Sequence, residues 1–112
     1  MNPITDDYMR EMLSKCKPYT IVILRKTPQY DGSVIDKIVW EHGRRNFELK
    51  REGKLNVVCP VRDESDIGGV GIFSTDAVET RRLMDGDPAV MAGILTYEIH
   101  ATMSFPGSML SG

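Results

Sequence analysis

"KLNVVCPVRDESDIGGVGIFST", residues 54–75, holds two apolar runs with a polar, Gly-containing turn between them and no space for a helix. Residues 54–61 and 70–75 are rich in the β-branched side chains that suit a pleated, packed surface, so both are expected to be strands. Residues 62–69 are expected to form a loop long enough to move. What stands on either side of this double strand decides the fold class.

Upstream, Ile35, Ile38, Val39, His42, Asn46 and Leu49 recur at steps of three and four, the spacing of one helix face. Ser33 with Asp36 three residues on has the spacing of a capping box, and Gly53 is suited to end the helix in the left-handed conformation. Lys50 and Arg51 stand at its negative end. Before the turn residues 27–33 lies "YTIVILRK", 19–26, apolar enough for a strand buried on both faces. Residues 4–16, ended by Pro18, place Ile4, Tyr8 and Met12 at helical spacing and predict a short N-terminal helix.

Downstream, Thr75 or Asp76 can cap a helix that runs to about Met84 and breaks at Asp85-Gly86. "DPAVMAG", 87–93, has Asp at a cap, Pro at the first helical position and Gly at the end, a single helical turn. "ILTYEIHATM", 94–103, alternates Leu95, Tyr97, Ile99, Ala101 and Met103 against Thr96, Glu98, His100 and Thr102, as a strand does. The order is β-α-β-β-α-β behind an extra helix, an α+β, ferredoxin-like split βαβ arrangement. The expected division is a helical extension at 1–18, the domain at 19–108 and a tail at 109–112.

Two helices cover only one sheet face, yet the strands stay apolar on the other. A second copy is the expected cover, which makes the chain a homodimer and, sheet against sheet, a dimeric α/β barrel.

Composition narrows the partners. A chain of 112 residues can bury roughly two-thirds of its unfolded surface in a single core. Its net charge of −2 supplies no field for nucleic acid or anionic lipid, which favours a small organic ligand. The third strand lacks the paired aromatic rings and basic residue of an RNA-binding sheet. Gly68, Gly69 and Gly71 lead into a strand rather than a helix, the wrong context for a phosphate loop. No apolar run is long enough to span a bilayer, and the start has no signal pattern. Cys16 and Cys59 share no metal or redox spacing. A reduced, cytoplasmic protein without a metal or cofactor is expected, since two distant histidines with no acidic or thiol cluster do not make a metal site.

His42 is the residue that composition does not explain, because a leucine would pack better on the sheet-facing stripe. It is either a core histidine tied to one partner or a general base that titrates near neutrality. Asp87 reads first as a cap. Glu98 and His100 share the polar side of the last strand and form a secondary candidate for substrate binding. Glu41 with Arg45 and Arg44 with Glu48 stand at four-residue spacing, so that basic stretch reads as an internally paired face. Trp40 and Phe47 mark a second apolar patch, suited to packing under a loop or against a partner.

"DPAVMAGILTYEIHATMSFPGS", 87–108, with "EHGRRNFELKREGKL" upstream, resembles the YCII-related (YciI-like) family of small dimeric ferredoxin-like proteins. The resemblance spans about residues 19 to 108. It implies a histidine and aspartate pair in a pocket, here His42 and Asp87, and one branch of the family is similar to dehydrochlorinases of chlorinated hydroxyhydroquinones. A carboxylate on one imidazole nitrogen fixes the tautomer and raises the basicity of the other. Two function classes follow: an enzyme of lyase or isomerase type that moves a proton on a small organic molecule without a cofactor, and a non-catalytic module that binds such a molecule or a protein.

Overall fold

A computed structural model describes residues 1–32 and 34–112. Its elements are α1 (Asp6–Ser14), β1 (Lys17–Lys26), α2 (Ile35–Arg51), β2 (Leu55–Pro60), β3 (Ile67–Phe73), α3 (Ala77–Asp85), α4 (Pro88–Met91) and β4 (Leu95–Ser104). The expected β-α-β-β-α-β order is present, with the N-terminal helix ahead of it. The four strands form one sheet in the order β2-β3-β1-β4, each neighbouring pair antiparallel.

Local chemistry sets most of the boundaries. Gly53 takes a φ of +77° after α2, and Lys54 and Gly53 return their N–H groups to the Leu49 and Lys50 carbonyls, satisfying the helix end. Gly93 repeats the same closure after α4 at φ +75°. Asp76 caps α3 by accepting from the Glu79 N–H. Ser33, expected to cap α2, lies outside the described residues; Val34 occupies the cap position and makes no side-chain bond there.

Two boundaries differ from the expected ones. β1 begins at Lys17 and carries Pro18 within it, paired to Met103 of β4 on one side. β3 begins at Ile67, so the hairpin loop is shorter than residues 62–69. Its glycines are strand residues chosen for space: a Cβ on Gly69 would lie 3.2 Å from the Cys59 carbonyl oxygen, and one on Gly68 3.1 Å from Leu95 Cδ2.

The helices lie on one face, where Val22, Leu24, Leu55, Phe73 and Leu95 of the sheet meet Leu49, Leu83, Met84 and Ala89. This is the core. On the other face Ile21, Ile72 and Val57 stand in one cross-strand row and Ile23, Val70 and Cys59 in the next. The isoleucines and valines of these rows are only half-buried. β1 is thus buried on one face within the chain, not on both. Of the expected N-terminal stripe, Met12 is half-buried while Ile4, Tyr8, Met9 and Leu13 are exposed, as are Trp40 and Phe47 of α2. Among the described residues no helix is long and apolar enough to cross a membrane.

Candidate active site

His42 lies in the third turn of α2, on the face that the stripe Ile35, Ile38, Val39 and Leu49 presses onto the sheet. Its Nδ1 is 2.7 Å from Oδ1 of Asp87, the residue that starts α4. Asp87 is 2% exposed, and its two oxygens have separate partners. Oδ2 accepts from the Ala89 N–H at 2.9 Å and the Val90 N–H at 3.3 Å, which is the helix cap. Oδ1 is thereby aimed at the imidazole. The two readings of Asp87, cap and histidine partner, are both present, one on each oxygen.

A carboxylate oxygen accepts hydrogen bonds, so a neutral His42 ring meets it with the proton on Nδ1 and leaves Nε2 as the unprotonated nitrogen. Asn46 Nδ2, one helical turn on, lies 3.3 Å from that Nε2 and donates to it. Sequence reading placed Asn46 on the stripe without a role. Its signal was the four-residue step from His42, which brings two side chains of a helix together.

His42 and Asn46 line a cleft of about 720 Å³ between α2 and the β2-β3 end of the sheet. Gly68, Gly69 and Gly71 of β3 line its floor, with the Leu95, Leu55 and Phe73 side chains packed close to Gly68 and Gly71. Val39 and Phe47 wall the α2 side and Val58 the β2 side, while Ser108, Met109 and Leu110 reach it from the end of the chain. The walls are mostly apolar, the setting in which a few placed polar groups act with most effect.

Glu98 and His100 do not join this cleft. Tyr97 and Ile99 of β4 pack toward the core, so Glu98 and His100 point from the opposite sheet face, where they stand across from Ile23 and Ile21. There His100 Nε2 meets Glu98 Oε2 at 3.0 Å, and Arg25 Nε donates to Glu98 Oε1 at 2.8 Å. The His100 hydrogen bond and then that of Arg25 hold the Glu98 carboxyl below its ordinary range. Arg25 also reaches Asp66 at 3.1 Å, so the cluster is a charged strip beside the apolar rows.

The pairing expected within α2 differs too. Arg44 pairs with Glu41 at 3.0 Å, three residues away. Arg45 turns inward and donates from Nη2 to the Leu83 carbonyl at 2.8 Å, near the end of α3. That bond ties the site-bearing helix to the segment leading into Asp87.

No family model matches the chain, and no curated protein matches it. Solved structures with the same fold exist. One is 5-chloro-2-hydroxyhydroquinone dehydrochlorinase (TftG) of Burkholderia phenoliruptrix AC1100, in complex with 2,5-dihydroxybenzoquinone, at a TM-score of 0.56 and 20% identity over 73% of this chain and 90% of that one. Another is muconolactone isomerase, at a TM-score of 0.59 and 18% identity over 84% of this chain and 97% of that one. The chain therefore has a mixed α+β fold similar to theirs, built on a four-stranded antiparallel sheet.

Proposed function

We propose that this chain is a YCII-related enzyme of lyase or isomerase type, in which His42, oriented by Asp87, moves a proton on a small organic molecule held in the cleft. The observation that carries the reading is the 2.7 Å contact between His42 Nδ1 and Asp87 Oδ1, made by a carboxylate whose other oxygen is fixed by backbone N–H groups. The names of the two fold neighbours, a dehydrochlorinase and an isomerase, denote reactions that a positioned base serves.

In the proposed step, Nε2 accepts a proton from a tetrahedral carbon next to a carbonyl, and the electron pair of that C–H bond moves toward the carbonyl oxygen to give an enolate. The imidazolium formed is stabilised by Asp87 through Nδ1–H. Return of the proton to another carbon of the enolate completes an isomerisation; in an elimination the enolate pair returns to form a C=C bond, a group on the β carbon departs as its anion, and the imidazolium releases its proton to water. The Asn46 amide gives up its bond to Nε2 as the substrate enters and is then free to donate to the substrate oxygen. No cofactor is required for either course.

The chain acts as a homodimer in this reading. The rows Ile21-Ile72-Val57 and Ile23-Val70 make a flat apolar face that a second sheet would cover.

The test is a screen of small phenolic, enol and lactone compounds in D₂O, read by mass spectrometry for conversion and deuterium uptake. A substrate found this way should lose about 10²- to 10⁴-fold in turnover with His42→Ala, the usual worth of one positioned acid or base, while the protein stays folded. Ligands that bind without conversion or exchange, and bind His42→Ala equally well, would make the chain a binding module.

A further inference from the structure

We propose that the ligand of the cleft is a small organic acid, whose carboxylate docks between Lys26 and Arg62 while its carbon skeleton lies over the glycine floor beside His42. This deepens the reading of His42 as a base and rests on it.

The charge around the cleft is one-sided. Lys26, Lys50 and Arg62 line it, and among the described residues no Asp or Glu does. The protein as a whole carries a net charge of −2, so this local excess does not follow from composition. Lys50 stands at the far end of α2, where its Nζ donates to the Asn56 carbonyl at 3.3 Å.

Strand direction brings the other two cations to one end of the cleft. Leu24 of β1 and Pro60 of β2 both pair with Gly69 of β3, which lies between them. β1 and β2 run in the same direction; Lys26 ends β1 past a register shift at Leu24/Arg25, Arg62 lies in the loop just past the end of β2, and both line the cleft. Strands one apart in a sheet are separated by about 10 Å, a span that a carboxylate can bridge with long cationic side chains on either side.

Neither cation is committed elsewhere. Among the described residues, neither Lys26 nor Arg62 forms an ion pair with a carboxylate, although Arg25, Arg44 and Arg82 each do. Lys26 Nζ rests 5.3 Å from the centre of the Tyr30 ring, another residue of the cleft. The nearby carboxylate of the hairpin loop, Asp63, is turned to Ser65, whose hydroxyl and N–H it binds at 2.5 and 2.9 Å. Ser65 is the main reason its carboxyl sits below the ordinary range, and the charge of Lys26 contributes less. An incoming anion would therefore not have to displace a paired carboxylate from either cation. It would also feel the apolar walls of the cleft, which strengthen an ionic contact relative to bulk water.

The experiment is calorimetric titration of the whole protein with matched acids and amides: 4-hydroxybenzoate and 4-hydroxybenzamide, then 5-oxotetrahydrofuran-2-carboxylate and its amide. In at least one pair the acid should bind about tenfold tighter or more, and the preference should shrink with added salt. Lys26→Gln with Arg62→Gln should remove the preference and leave amide affinity in place; Arg62→Lys should retain part of it. Both positions are at the mouth, so circular dichroism should be unchanged. Acids that bind no better than their amides, or a preference that survives the double substitution, would overturn the proposal. His42→Ala separates the two readings. If the acid preference persists but no conversion depends on His42, the catalytic reading alone fails. If His42 converts acid and amide equally, the organic-acid proposal alone fails.

Discussion

His42 and Asp87 stand 45 residues apart in the chain and 2.7 Å apart in the fold, joined where α2 crosses the start of α4. Each element has its own local determinants. α2 is held by its stripe against the sheet, and α4 by its proline, cap and closing glycine. Only their packing makes the pair, and it does so with a carboxylate that already has a structural task.

That double task separates two substitutions. Asp87→Asn keeps an oxygen able to cap and should cost a few tenths of a kcal/mol through the cap, whereas Asp87→Ala should cost about 1 kcal/mol more. Both should reduce turnover of any substrate by a comparable factor, because both remove the carboxylate from Nδ1. Denaturant midpoints beside initial rates would check this. Equal activity in Asp87→Asn and the unaltered protein would remove the carboxylate from the mechanism.

The apolar rows of the open sheet face should be covered in solution. Light scattering at micromolar concentration is expected to give twice the 12.6 kDa of one chain. Ile72→Glu, in the middle of the row between Ile21 and Val57, should shift the protein toward monomer, since an unpaired charge there would be buried at the contact. A monomer in the unaltered protein would refute the face-to-face arrangement.

The floor of the cleft is tight at Gly71. A Cβ at Gly71 would lie 3.1 Å from Leu55 Cδ1 and 3.3 Å from Phe73 Cε2. Gly71→Val should therefore cost about 1–3 kcal/mol by overpacking and narrow the cleft. Thermal denaturation with ligand titration would show both effects; a stable variant with unchanged binding would mean that the floor is not the contact surface.

Tyr97 donates its hydroxyl to Asp85 at 2.6 Å, and this bond is the main reason its phenol ionises above the ordinary value of about 10. The proton is held more tightly in the folded state. The corresponding stability is fully present below the unfolded pKa and is lost as pH rises through the folded one. Ultraviolet difference titration should show one tyrosine ionising late, and Asp85→Asn should bring it back toward the ordinary range. An unaltered curve would assign the shift to burial alone.

Much of this was readable before the fold was seen. The helical step put His42 on the sheet side, Asp-Pro marked the start of α4, and the order of strands and helices followed from periodicity and turn residues. The glycines of β3 misled for a physical reason: without side chains they carry no alternation, so strand and loop look alike until packing shows how closely the Cys59 carbonyl approaches Gly69. Arg45 misled for another. Helix spacing offers Glu41 as its partner, but the Leu83 carbonyl belongs to a different helix and leaves no mark in the local pattern. Glu98 and His100 were correctly placed on the polar side of β4. That side turned out to be the face opposite the cleft, because the helices cover Tyr97 and Ile99.

The most direct test is nitrogen NMR of the His42 ring in the unaltered protein and in Asp87→Asn. The pair predicts a neutral ring with its proton on Nδ1, a slowly exchanging N–H signal from that proton, and loss of both features in Asp87→Asn. Ring spectra that are the same in the two proteins, or a neutral ring protonated on Nε2 in the unaltered one, would contradict it.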